Sequence, residues 1–112
     1  MHNIYFVPRQ LGLHATQKGY LYLVDSIQMA LEDEKNLIQF TKTLFKKIAK
    51  NYDTDPSNVE RNIRTLVDQC WNSPHREELQ KIAPYRLEKK PTVGEFIDIL
   101  YWHIKCLEDG TE

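Results

Sequence analysis

Nothing in the sequence approaches the ~18 consecutive apolar residues that a membrane span requires, so a chain embedded in a bilayer is excluded. Cysteine is scarce. Cys70 and Cys106 stand far apart, in no metal-like or redox-like spacing, and read as free thiols in a reducing cytoplasm. The glycines Gly12, Gly19, Gly94 and Gly110 are scattered and build no phosphate-cradling loop. His2, His14, His75 and His103 lack the paired spacing of a zinc site, so neither a metal nor a cofactor is expected. Met1 to Leu13 has no apolar run ending in small residues and reads as no signal peptide. No nucleophile, carboxylate pair or ligand cluster remains to support an enzyme, and no catalytic residue is assigned.

An excess of either charge is also missing: 15 Lys+Arg face 16 Asp+Glu, a formal net charge of -1. At 112 residues, 41% hydrophobic and 28% charged, the chain fits one ordinary globular domain, 1–112. The charge is unevenly placed, however. Asp25, Glu32, Asp33 and Glu34 precede a stretch from Lys35 to Lys50 that holds five lysines and no acid, and from Glu95 onward five acids face only Lys105. Such a lysine block is either a solvated helix face or a phosphate-facing surface, since affinity for a polyanion depends on local contacts rather than on the sum.

Apolar residues recur at helical spacing, and strand alternation is rare. Leu21, Val24, Ile27, Gln28 and Leu31 predict a helix over about Lys18 to Asp33. Leu37, Phe40, Thr41, Leu44, Phe45, Ile48 and Tyr52 predict a second over Leu37 to Tyr52. A third is predicted over Pro56 to Trp71, with Asp55 as its cap, Pro56 at its first position and Val59, Ile63, Leu66, Val67 and Cys70 inward. A short helix fits His75 to Ile82. A capping box, Thr92 with Glu95, opens the last helix, whose stripe is Phe96, Ile99, Leu100, His103, Ile104 and Leu107. Near the N-terminus, Pro8 is expected to begin one short helical turn before Gly12. The fold class is all-α.

The second and third of these helices, joined by Asp53-Thr54-Asp55, have the local form of a helix-turn-helix. Ala49 and Val59 are the small and apolar positions at which they would cross. Asp53 sits where a positive φ is usual, a conformation that Asp tolerates better than most residues. The outward residues of the third helix are Ser57, Asn58, Glu60, Arg61, Arg64, Thr65 and Asp68. Arginine bonds bidentately to guanine, glutamate accepts from cytosine and asparagine reads adenine. The same Glu60-Arg61-Arg64 set also fits a surface ion-pair row, and the pattern alone leaves both readings open.

Four segments in order, Lys18-Gly-Tyr-Leu-Tyr-Leu23, Ile48-Ala-Lys-Asn-Tyr52, Ser57-Asn-Val-Glu-Arg-Asn-Ile-Arg64 with Trp71, and Pro91-Thr-Val-Gly-Glu-Phe-Ile97, resemble the C-terminal DNA-binding effector domain of the sporulation stage-zero response regulator. The resemblance runs from about Ile4 through nearly the whole chain. It implies six helices, the third and fourth forming the helix-turn-helix, in a winged-helix-like effector family with no evident wing. It implies binding to double-stranded DNA at TGTCGAA-like boxes, with self-association on tandem sites. Asn58, Glu60 and Arg61 are then the base-contacting positions, while Ser57, Arg64, Thr65, Lys42, Lys46, Lys47 and Lys50 are the phosphate-contacting ones. His75, Arg76 and Glu78 lie where the family contacts the sigma subunit of RNA polymerase.

Asn58 stands where the family carries a basic residue and Thr65 where it carries a histidine, which implies weaker binding or an altered box preference. The segment His75 to Ile82 differs strongly from the family's, and the loop before Pro91 is shorter. No receiver domain lies within the 112 residues, so a stand-alone chain is expected to be controlled by abundance, a partner or self-association rather than by aspartyl phosphorylation. The leading expectation is a cytoplasmic, sequence-specific transcription regulator. The rival is a receiver-less interaction module that has lost specific readout and modulates a full-length regulator or another partner.

Overall fold

Six α-helices and one 3-10 turn, with no strand, form the regular structure of the described residues, 3–38 and 43–110, in a computed structural model of the chain. The helices are α1 (Asn3–Gln10), α2 (Lys18–Glu32), α3 (Phe45–Asn51), α4 (Pro56–Trp71), α5 (Arg76–Ile82) and α6 (Val93–Asp109), with the 3-10 turn at Glu34–Leu37. Their apolar faces meet in one contiguous core, to which α2, α4 and α6 contribute most of the buried side chains. None of these helices is long and apolar enough to cross a membrane.

Local chemistry sets the helix ends. The Asp55 carboxylate accepts from the Asn58 N–H at 2.9 Å, capping α4 just before Pro56. The Thr92 hydroxyl accepts from the Glu95 N–H at 3.1 Å, and the Glu95 carboxylate accepts from the Thr92 N–H at 2.8 Å, closing the expected capping box. Between α3 and α4, the Thr54 N–H reaches the Ala49 carbonyl at 2.9 Å and the Asp53 N–H reaches Lys50 at 3.4 Å. That is a Schellman ending with Asp53, at φ 54°, where glycine is usual. Ala49 and Val59 are both buried at the α3–α4 crossing.

Helix α2 comes very close to α4 at Gly19. A Cβ there would lie 2.3 Å from the Asn62 carbonyl oxygen on α4, far inside van der Waals contact. Only glycine lets the start of α2 rest directly on the α4 backbone.

The expected second helix is corrected at its start, because Leu37 closes the 3-10 turn and Leu44, at φ −62° and ψ −53°, already has helical backbone before α3. Phe40, Thr41 and Lys42 lie outside the described residues. Leu21 is not buried but 44% exposed. Neighbours cover α2 so broadly that only a narrow sector, Leu21, Asp25, Gln28 and Glu32, turns outward, while Tyr20, Tyr22, Leu23 and Ala30 join the core. Tyr52 is likewise 37% exposed, its ring edge-on to Tyr22 and its hydroxyl donating to Asp25 at 2.6 Å. On α6, Val93, Ile97 and Tyr101 are buried beyond the expected stripe, and His103 and Leu107 are only partly covered.

Pro8 does not start a helix. It sits inside α1, where its missing N–H leaves the Ile4 carbonyl without its usual helical donor. The position is tolerated because it falls in the last turn, and the Pro8 carbonyl accepts from Leu11 and Leu13 at 3.0 and 3.2 Å to close the chain.

Gly19→Ala should destabilise the fold by about 2 kcal/mol, in the range of an overpacked core, and lower the melting temperature by roughly 10 °C in a circular-dichroism melt. Asp53→Gly should act in the opposite sense, raising it by a few degrees through relief of left-handed backbone strain.

The Ser57 hydroxyl, followed by the Asn58 N–H, holds the Asp55 carboxyl below its ordinary 3.8. Its contribution is therefore complete above that value and disappears as pH falls through the depressed one. Asp55→Ala should melt several degrees below the wild type at neutral pH, with the gap closing in acid, while Asp55→Asn should keep most of the cap.

Candidate nucleic-acid interface

Helix α4 buries Val59, Ile63, Leu66, Val67 and Cys70, which turns the rest of its circumference to solvent. Two turns of helix therefore carry Ser57, Asn58, Glu60, Arg61, Arg64 and Thr65 along adjacent outward rows. Burial pushes the Cys70 thiol up to about 11, so it stays protonated and acts as a small core side chain.

The outward groups are engaged with one another. Ser57 donates to Asp55 at 2.6 Å. The half-buried Asn58 side chain donates to the Thr54 hydroxyl at 2.9 Å and accepts from Asn62 at 3.1 Å and from the Arg61 guanidinium at 3.3 Å. Arg61 is exposed, and that contact uses one of its five N–H donors. Glu60 and Arg64 form an i,i+4 ion pair. Glu60, followed by Asp68, raises the Arg64 guanidinium above its ordinary range. The Thr65 hydroxyl donates back to the Arg61 carbonyl at 3.1 Å. Farther along, Asp68 pairs with Lys90 at 2.6 Å.

Lys46, Lys47 and Lys50 are all exposed on α3, and among the described residues no carboxylate pairs with them. Lys50 lies three residues after Lys47 and four after Lys46, so it neighbours both on the helix surface. Lys42 lies outside the described residues.

The remaining candidates form a separate surface at α5. His75 is the residue before that helix, and its ring lies against Gly12, where a Cβ would come within 2.5 Å of the imidazole. The Arg76 Nε–H donates to the Trp71 carbonyl at 2.7 Å, and its guanidinium stacks 4.2 Å from the Trp71 ring. Glu78 pairs with Lys81 at 3.1 Å. Arg76 thus tethers α5 to the end of α4 and is held close to its own chain.

Two participants escape a reading of sequence. Asn62 supports Asn58 from one turn away, a relation visible in principle in the Asn-x-x-x-Asn spacing. Lys90 joins the face from 22 residues beyond Asp68, and no local signal announces it. Among the described residues, no group of three or more His, Cys, Asp or Glu side chains could hold a metal ion.

This arrangement is a helix-turn-helix whose second helix presents arginine, glutamate and amide groups, beside a helix with three unpaired lysines. The family profile described as "Sporulation initiation factor Spo0A C terminal" matches residues 4–104 of the 112, spanning α2 to α5 and all but the ends of α1 and α6. The chain belongs to this family of DNA-binding effector domains.

Proposed function

We propose that the protein is a sequence-specific, double-stranded DNA-binding transcription regulator acting in the cytoplasm as one effector domain, with α4 entering the major groove at TGTCGAA-like boxes. Arg61 reads a guanine, Glu60 a neighbouring cytosine and Asn58 contributes at the same edge. Arg64, Thr65, Ser57 and the Lys42, Lys46, Lys47 and Lys50 set hold phosphates. The observation that carries this reading is the exposed Arg61 guanidinium near the middle of α4, oriented by Asn58 and with four N–H donors left over.

The internal pairing of the face does not oppose it. Exposed ion pairs one helical turn apart are among the weakest, whereas a bidentate arginine–guanine contact discriminates by about 1–3 kcal/mol. Base contacts therefore outcompete the pairing that precedes them. The second surface, His75, Arg76 and Glu78, is the candidate contact for the polymerase sigma subunit, and self-association on tandem boxes would raise occupancy.

The engagement of Asn58, Glu60 and Arg64 with neighbouring side chains favours one other reading, an interaction module that keeps the fold and has lost readout. Anisotropy titrations on a TGTCGAA duplex and a scrambled duplex separate the two. Specific readout requires tighter binding to the box, with Arg61→Ala losing about 1–3 kcal/mol there and relaxing preference at one base. Alanine at Lys46, Lys47 or Lys50 should weaken both duplexes alike and flatten the salt dependence by about one unit per lost phosphate contact. Equal affinity of the wild type for both duplexes would refute readout and favour the module.

A further inference from the structure

The chain between α5 and α6 is short, pinned and basic. Gln80 on α5 grips it with both ends of its amide: Nε2 donates to the Tyr85 carbonyl at 3.0 Å, and Oε1 accepts from the Leu87 N–H at 2.8 Å. Leu87 packs partly against the core. Pro84 and Pro91 restrict the backbone at the two ends, and Pro91 is buried. The segment displays Arg86, Lys89 and Lys90, all exposed, against a single acid, Glu88.

The position of this segment gives it meaning. Lys90 Nζ lies 2.6 Å from Asp68 Oδ1. Asp68 is one turn beyond Arg64, whose guanidinium feels its charge, and two turns beyond Arg61. The outer face of α4 thus continues into the segment as a row of alternating sign: Glu60, Arg64, Asp68, Lys90. At 1.5 Å rise per residue, Asp68 stands roughly 10 Å along the axis from Arg61. That distance is comparable with the ~12 Å width of the major groove, so a cation there meets the groove's edge, where the phosphates run.

We propose that the segment from Arg86 to Lys90 is a phosphate clamp for the DNA backbone flanking the groove, with Asp68 as the carboxylate that occupies Lys90 until a phosphate displaces it. The inference rests on the DNA-binding reading above and extends it to residues that reading does not use. In the free protein Lys90 is paired to Asp68; on the duplex a phosphate takes over from the carboxylate, and Lys89 and Arg86 add charge alongside. Lys90 then contributes affinity without sequence preference, in contrast to Arg61.

Anisotropy titrations across a salt series, on the TGTCGAA duplex and its scrambled counterpart, test this. Lys89→Ala/Lys90→Ala should bind both duplexes about tenfold more weakly, and the slope of log affinity against log salt should fall by about 1.8, two contacts at ~0.9 each. Lys90→Arg should retain the wild-type slope. Asp68→Asn should bind both duplexes about threefold more tightly, because a carboxylate is removed from beside the phosphates. An unfolding artefact would not produce that gain. Unchanged affinity and slope in the double lysine variant, with the wild type still preferring the box, would overturn the clamp and leave the DNA reading intact. Weaker binding by Asp68→Asn would overturn the displacement of Asp68 by a phosphate. A wild type that binds neither duplex would overturn both the clamp and the reading beneath it.

Discussion

The contact of Gly19 with the Asn62 carbonyl fixes where α4 lies. With no side chain in between, α2 rests on the α4 backbone itself, and α3 crosses the same helix at Ala49 and Val59. Two close supports on one side leave α4 a single outward sector. Both depend on small residues, because helix axes approach this closely only where side chains are short. A larger residue at either crossing would move the helix and redirect every side chain on its outer face. The geometry of the candidate interface is therefore decided in the core, at positions that touch no ligand.

The α3–α4 turn adds a second level of control. Asp53 takes a left-handed conformation, the Asp55 carboxylate binds both Ser57 and the first turn of α4, and Thr54 receives the Asn58 amide. From Asn58 the chain of bonds passes to Asn62 and Arg61. Each link is modest, but together they limit the rotamers open to Arg61 before any partner arrives. Long side chains lose substantial entropy when ordered, and part of that cost is met on folding rather than on binding.

Much of this was legible in sequence because it is local. The bounds of α4 follow from Asp55-Pro56 and a clean apolar stripe; the start of α6 follows from Thr92 and Glu95; the strained turn residue follows from the two-helix pattern. The departures are of another kind. Periodicity places Leu21 inward because it reports a stripe without reporting how many neighbours cover the helix, and α2 is covered on most of its circumference. Pro8 suggests a helix start because its usual place is the first turn, whereas carbonyl acceptance from Leu11 and Leu13 lets it end one. Lys90 and Asp68 meet only through tertiary structure. The family resemblance supplies roles for α4 residues but not the bonds that join Asn58 to Arg61 and Glu60 to Arg64.

That mutual bonding gives the near-neutral charge a physical consequence. Acids sit within the outer face of α4, at Glu60 and Asp68, each joined to a cation. A polyanion approaching this face meets largely compensated charge, with Arg61 and the exposed α3 lysines as the remainder. Non-specific attraction, which scales with the number of cations that release counterions, is therefore held down. On the proposed readout, a matched sequence escapes the restraint, because a base edge that accepts from Arg61 or donates to Glu60 repays the broken ion pair with a hydrogen bond of defined geometry. A mismatched sequence breaks the same pairs and gains only phosphate contacts. On that reading self-pairing costs both complexes about equally, while only the matched one recovers the loss, so the proposed interface exchanges total affinity for discrimination between sites.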